Sequence, residues 1–432
     1  MPRWPRLIAL LFMLLLFSAC QTNGGNGSQV ATSKPAWINA STLLDTCPAE
    51  LKKVKNCYTP YGLRRAYGLE TLTEQGFTGK GQTVVDIVSY GSPFLQKDLD
   101  VFSKQFGLPP VKVQVIAPLG TVPFDANNAE MVGWAEETEL DVEMIHALAP
   151  EAQIVVMTSP VDETEGTIGL PEFLKLEQYA VNHHLGQIFS QSFVATEVTL
   201  KDGAGQQLVK DYSDFYRRIT TQEGWTILSG SGDHGATDWT DLAGSKLSPT
   251  PVVNFPADVP WVTSVGGTVL QHTATGYAEQ AWKGSGGGSS QFFSQPDYQK
   301  NLPPTVQSQL AGRRGLPDLA ADASPDTSMA IYFAGSWNQV GGTSASTPLV
   351  AGIVAVANQT AGHALGFLNP GIYKMAAQKQ TRDFRDITEG DNSVDGPVKV
   401  QGFAAATGWD AVTGWGSPQA SQFIPDLITA LK

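Results

Sequence analysis

The sequence predicts an α/β fold: a single large domain with a mostly parallel central sheet and helices on both faces. Three observations predict it. Short apolar runs with the composition of buried strands recur along the chain, amphipathic helical patterns fall between them, and neither a clear linker nor an internal repeat interrupts residues 58–432. Of the 432 residues, 42% are apolar and only 16% charged, which suits a large core. The 44 glycines and 27 prolines indicate many turns and long loops around it.

The strands are expected at 83–88, 153–158, 187–193 and 225–230, and the helices at 95–106, 136–148, 171–184 and 210–222. In such folds the reactive residues sit on loops at the carboxyl ends of the strands. The glycine-rich stretch 284–289 lacks the spacing and lysine of a phosphate loop and reads as a substrate-bordering or structural loop. A formal charge of −13 repels phosphate backbones, so nucleic acid is excluded as a partner.

The N-terminus carries its own signal. Arg3 and Arg6 precede an apolar run, 7–17, too short to span a bilayer comfortably, so residues 1–19 read as a signal peptide. Ser18 and Ala19 before Cys20 resemble a bacterial lipobox, which implies a lipidated Cys20, a polar tether at 21–28 and a body held on a membrane face. The expected location is the bacterial cell surface, as an anchored lipoprotein or a released, secreted form. Beyond an export signal, the lone pair Cys47 and Cys57 reads as a disulfide stapling the lead-in that ends at residue 57. The body at 58–432 is expected to be a monomer.

Placed at 100° steps, residues 136–148 put Glu137, Asp141, Met144, Ile145 and Leu148 on one helix face. Glu136, Glu139, Glu143 and His146 share the opposite face, which reads as an ordinary solvated acidic side. Two carboxylates on an apolar face are costly to bury unless paired or protonated. At i and i+4 in a low-dielectric site they share a proton, and a glutamate so raised can act as a base in mildly acidic water.

Val340-Gly-Gly-Thr-Ser344-Ala-Ser-Thr-Pro348 leads into an apolar helix expected at 349–357, with Pro348 in its first turn. Small residues there bring Ser344 to a helix N-terminus, where free backbone N–H groups can hold an oxyanion. Capping is the ordinary role of such hydroxyls. Gly-Thr-Ser-Ala-x-x-Pro entering an apolar helix, however, resembles the nucleophile motif shared by subtilisin-like and sedolisin-like peptidases. The former need a His-Gly-Thr-x-Val segment, which none of His146, His183, His184, His234, His272 and His363 provides. Glu137-Thr-Glu-Leu-Asp141 instead resembles the sedolisin Glu-x-x-x-Asp motif, and Leu228-Ser-Gly-Ser-Gly-Asp233 resembles the strand end that carries that family's oxyanion aspartic acid.

The resemblance to sedolisins, which are serine-carboxyl peptidases, runs along nearly all of 58–432. It includes Gln105-Phe-Gly-Leu-Pro, Phe255-Pro-Ala, Val265-Gly-Gly-Thr and Thr413-Gly-Trp-Gly-Ser-Pro. It implies a subtilisin-like fold and serine-type endopeptidase activity on proteins or peptides in acid. Ser344 would be the nucleophile, Glu137 its base, Asp141 the partner of Glu137, and protonated Asp233 an oxyanion donor. It also implies one structural Ca2+, held by Asp386 and Asp410 with the carbonyls of Ile387, Ala406 and Gly408. Asp391 and Asp395 fall outside that motif. The chain departs from the family at Phe193 and Val194, which are expected to alter the non-primed subsites. It departs again between Cys20 and Tyr58, where about forty residues leave no room for a folded pro-region, implying a naturally short form. A tripeptidyl-peptidase mode, a non-catalytic peptide-binding lipoprotein on the same fold and a lipid-anchored solute-binding protein are the rival readings.

Overall fold

The computed structural model describes residues 34–39, 44–51, 56–327, 329–378 and 382–432, all within one compact unit. The expected signal peptide, Cys20 and the tether lie outside the described residues. Among the described residues, no helix is long and apolar enough to cross a membrane. Cys47 and Cys57 form a disulfide with their Cα atoms 6.3 Å apart.

The central sheet is built from β1 (Thr83–Ser89), β2 (Gln114–Ile116), β3 (Gln153–Ser159), β4 (Ile188–Gln191), β5 (Thr226–Gly230), β6 (Thr263–Thr273), β7 (Gly276–Ala281) and β8 (Leu319–Asp322). Its spatial order is β8-β6-β5-β4-β1-β3-β2, parallel throughout, with β7 joined antiparallel to β6. The principal helices are α1 (Leu95–Phe106), α2 (Ala129–Leu148), α3 (Leu170–Asn182), α4 (Gly203–Gln222) and α5 (Thr343–Ala361). This is the mixed, subtilisin-like architecture expected from the alternation of patterns.

Strand alternation divides the core in two. On β1, Val84 and Val88 face a cluster formed with α1, α2 and α5, whereas Val85 and Ile87 face a second cluster formed with α3 and α4. Asp86 therefore shares the face of Val84 and Val88, toward α2. That parity carries a charged residue into the site.

Helix ends differ from expectation where capping decides them. The second helix begins at Ala129, not residue 136, because Asn128 accepts from Glu130 N at 3.0 Å and Met131 N at 3.3 Å. Helix α4 likewise begins at Gly203, with Asp202 accepting from Gly205 N at 2.7 Å. Helix α5 begins at Thr343, so Pro348 lies inside it and not in its first turn. Proline offers no N–H to the carbonyl of Ser344 four residues earlier. That oxygen receives a long 3.4 Å hydrogen bond from the Ser192 hydroxyl instead.

Candidate active site

Helix α2 packs against α5 and β1, and this arrangement brings the carboxyls of Glu137 and Asp141 toward Ser344. Asp141 is fully buried, and its Oδ1 accepts from the Ser192 hydroxyl at 2.7 Å. Its other side faces Asp86 on β1, itself fully buried. Burial pushes Asp86 up to about 8 against the ordinary 3.8, and burial and then the charge of Asp86 push Asp141 up as well. Two acids facing each other away from water hold a proton between them.

Glu137 sits at the cleft side of this pair. Burial first, and then the charge of Asp141, raise its proton affinity well above the ordinary glutamate value, while hydrogen bonding from the Ser344 hydroxyl moderates it. A carboxyl so raised is poised to accept a proton in weakly acidic water.

The third segment is the turn after β5. Asp233 Oδ1 accepts from Thr343 N at 2.7 Å and Thr343 Oγ1 at 2.9 Å, so this carboxyl caps the N-terminus of α5. In return Thr343 Oγ1 accepts from Gly232 N at 3.1 Å. The backbone N–H of Ser344 has no partner among the described residues. Two glycines permit this closeness: a Cβ at Gly342 would stand 2.5 Å from Asp233 Oδ2, and one at Gly230 would stand 2.9 Å from Thr343 Oγ1. Asp233 is open to the cleft yet crowded by protein, and the crowding raises its pKa. The 284–289 loop is structural: Gly286 N donates to Gly232 O at 2.8 Å, and a Cβ on Gly286 would stand 2.1 Å from Ser231 O. It braces the Asp233 turn from behind.

A pocket of about 200 Å³ opens beside Ser344 and Asp233. Phe193 borders it but turns largely into the core, 3% exposed and edge-on to Phe173 with ring centroids 4.5 Å apart. Half-buried Val194 supplies more of the open wall.

One expectation fails. The face of α2 opposite Glu137 is not solvated, because α1 and the hairpin of Ala330–Phe333 with Ser336–Gln339 cover it. Only Glu136 stays half-exposed. Glu139 accepts from the Ser92 hydroxyl at 2.6 Å, and Glu143 accepts from Tyr332 N at 2.9 Å. His146 Nε2 lies 3.1 Å from the Ser103 hydroxyl, and burial lowers its pKa to about 3. Charge pattern alone cannot distinguish a surface helix from one enclosed on every side.

Sequence reasoning also missed Asp86, Ser192 and Thr343 as partners of the site. Asp86 had a signal, since one acid inside Val-Val-Asp-Ile-Val needs an explanation. Thr343 lies inside the Gly-Thr-Ser motif, but its bond to Asp233, like that of Ser192 to Asp141, could not be read there because both are pairings across the fold.

Near the C-terminus, Asp386 and Asp410 meet one loop. Both oxygens of Asp386 lie 3.1 Å from Gly408 N, and Asp410 Oδ2 accepts from Ala406 N at 3.0 Å. Burial raises Asp410 to about 6 and Asp386 also upward. Among the described residues neither is paired with a lysine or arginine. Two carboxylates without a countercharge, beside the carbonyl-bearing segment 406–408 and Ile387, fit a hard cation.

The subtilase family profile matches residues 120–395, a span containing Glu137, Asp141, Asp233 and Ser344. Kumamolisin of Bacillus sp. (strain MN-32) is 30% identical over 354 residues, covering 79% of this chain and 59% of kumamolisin. Tripeptidyl-peptidase 1 of Canis lupus familiaris is 30% identical over 397 residues, covering 86% of this chain and 64% of that protein. The chain thus spans less than two thirds of the length of these relatives. Among solved structures, Pseudomonas sedolisin, a serine-carboxyl proteinase complexed with pseudo-iodotyrostatin, superposes with a TM-score of 0.71 at 26% identity. That match covers 86% of this chain and 97% of the sedolisin chain.

Proposed function

The chain belongs to the subtilase family, in its sedolisin branch, and on that premise we propose that it is a serine-carboxyl endopeptidase that hydrolyses proteins or peptides in acid. The observation that carries this reading is the meeting of three distant segments at one serine: α2 with its buried acids, the Asp233 turn, and the N-terminus of α5.

Ser344 attacks the scissile carbonyl carbon while its hydroxyl proton passes to Glu137. Asp141, sharing a proton with Asp86 and held by Ser192, orients Glu137 and tunes its basicity. The tetrahedral oxygen is met by the free N–H of Ser344 and by Asp233. Because Asp233 Oδ1 is committed to Thr343, Oδ2 is the oxygen that carries a proton and donates it. Glu137 returns its proton to the leaving amine, and water then releases the acyl group by the same steps in reverse order. Rising pH removes the Asp233 proton and with it the donor, which limits activity to acid.

Casein cleavage between about pH 3 and pH 8, by the native chain and Ser344→Ala, tests the reading. The expected result is an acidic optimum and a loss of at least about a thousandfold in the variant. Equal turnover by Ser344→Ala would sink the mechanism, and full activity at about pH 8 would sink the Asp233 role. The relatives named tripeptidyl-peptidases favour a second reading, release of tripeptides from a free N-terminus. Undiminished cleavage of N-acetylated peptides excludes it.

We also propose that Asp386 and Asp410, with the carbonyls of Ile387, Ala406 and Gly408, hold one Ca2+. Bound there, the ion would supply structural cross-linking of the C-terminal loops. Chelation is expected to lower the melting temperature by several degrees, on the order of 2 kcal/mol. An unchanged melt in chelator would argue against it.

A further inference from the structure

The pocket beside Ser344 contains charged groups that hydrolysis itself leaves unused. His234 directly follows Asp233, and its Nδ1 lies 3.0 Å from Asp238 Oδ1. Asp238 is buried and fully engaged: Oδ1 also accepts from Trp239 N at 2.9 Å, and Oδ2 accepts from Asn254 Nδ2 at 2.8 Å. A saturated carboxylate thus fixes one edge of the imidazole, and Trp239 packs edge-on to it with ring centroids 4.9 Å apart. The His234 side chain is 41% exposed, lines the pocket, and has no partner for Nε2 among the described residues.

Glu165 borders the same pocket. Its Oε2 accepts from Thr196 N at 2.9 Å and from the Thr199 hydroxyl at 2.8 Å. The groups that act on the charge of His234 are Asp238, Asp233 and Glu165. The hydrogen bond that Asp238 accepts from the ring favours the imidazolium, whereas burial pushes Glu165 up to about 7, so in acid it is neutral. The pocket then offers a charged N–H donor and no uncommitted carboxylate.

Geometry assigns the pocket to one part of a substrate. The carbonyl attacked by Ser344 directs its oxygen toward Asp233, and the side chain on the acyl side of that bond leaves the adjacent carbon. It therefore enters the space that Ser344 and Asp233 jointly border. About 200 Å³ accommodates a side chain of glutamate size, with Val194 and Trp239 against its methylenes.

Building on the peptidase reading above, we propose that His234 is a specificity-determining residue. Its Nε2–H selects substrates whose residue on the acyl side of the cleaved bond ends in a hydrogen-bond acceptor, glutamate first and glutamine second. A lysine or arginine there would meet the imidazolium with no free carboxylate to compensate it.

The test is kcat/KM for matched peptides that differ only at that residue (Glu, Gln, Leu or Lys), at about pH 4.5, where histidine is charged. A charged hydrogen bond made only to the acceptor-ended side chain is expected to favour Glu over Leu by about 10- to 100-fold, with Lys last. His234→Leu should bring Glu and Leu within about threefold of each other, and His234→Gln should retain part of the preference. Ratios within one preparation cancel any loss of folded enzyme. An unchanged Glu-to-Leu ratio in His234→Leu, or Lys ranking first in the native chain, overturns the His234 proposal while leaving the peptidase reading intact. If the native chain cleaves none of the peptides, nor casein, the peptidase reading falls and this proposal with it.

Discussion

Asp318, just before the edge strand β8, and Asp86, on the central strand β1, are both withdrawn entirely from water, yet by opposite means. Asp318 faces the Arg314 guanidinium at 2.5 Å and accepts further from Ser264 N at 2.8 Å and the Tyr373 hydroxyl at 2.8 Å. Among the described residues Asp86 has no donor in hydrogen-bonding geometry, and it faces another acid, Asp141. One carboxylate is compensated by a fixed cation and the other by a proton. A fixed cation works at every pH a protein meets, but a proton must be supplied by the solvent. The structural brace is thus independent of acid and the candidate active site depends on it.

Unfolding by urea at about pH 5 and about pH 8 would separate the two. Asp318→Asn leaves the Arg314 charge buried and uncompensated, with an expected loss of about 3–5 kcal/mol at both pH values. For Asp86 the folded pKa of about 8 stands above the ordinary 3.8. Its contribution to stability is therefore complete below about pH 4 and is lost as pH rises through about 8. Glu139, also pushed by burial to about 8, adds in the same direction. The native chain should lose stability between the two pH values, and Asp86→Asn should reduce that loss by about 1–3 kcal/mol. A native chain equally stable at both would break the contrast.

The same contrast explains what could be read in advance. The strands and helices were legible because apolar periodicity is local: the runs at 83–88 and 153–158 fall within β1 and β3. Glu137, Asp141, Asp233 and Ser344 were legible because each sits in a dense local motif. The burial of Glu139 and Glu143 was not, because the covering hairpin lies nearly two hundred residues away in the chain. Nor was the partnership of Asp86 with Asp141, which depends on β1 parity and helix packing together. The early start of α2 at Ala129 was readable in principle, because Asn128 is a residue type that caps helices.

Ser192 offers the finest probe of the proton-compensated cluster, because it touches both of its sides. Its hydroxyl donates to Asp141 at 2.7 Å and to the carbonyl of Ser344 at 3.4 Å. Hydrogen bonding from it lowers the proton affinity of Asp141 and of Glu137. Ser192→Ala removes that restraint, so both acids hold their protons to higher pH, and the acidic limb of kcat/KM should move toward neutrality by less than about one unit. Turnover at the optimum should fall about two- to tenfold, as one lost neutral-donor hydrogen bond implies. Ser192→Thr, which keeps the hydroxyl, should restore the limb. A purely structural serine would change the melting temperature and leave the limb where it was. That outcome would confine the acid-tuned cluster to Asp86, Asp141 and Glu137.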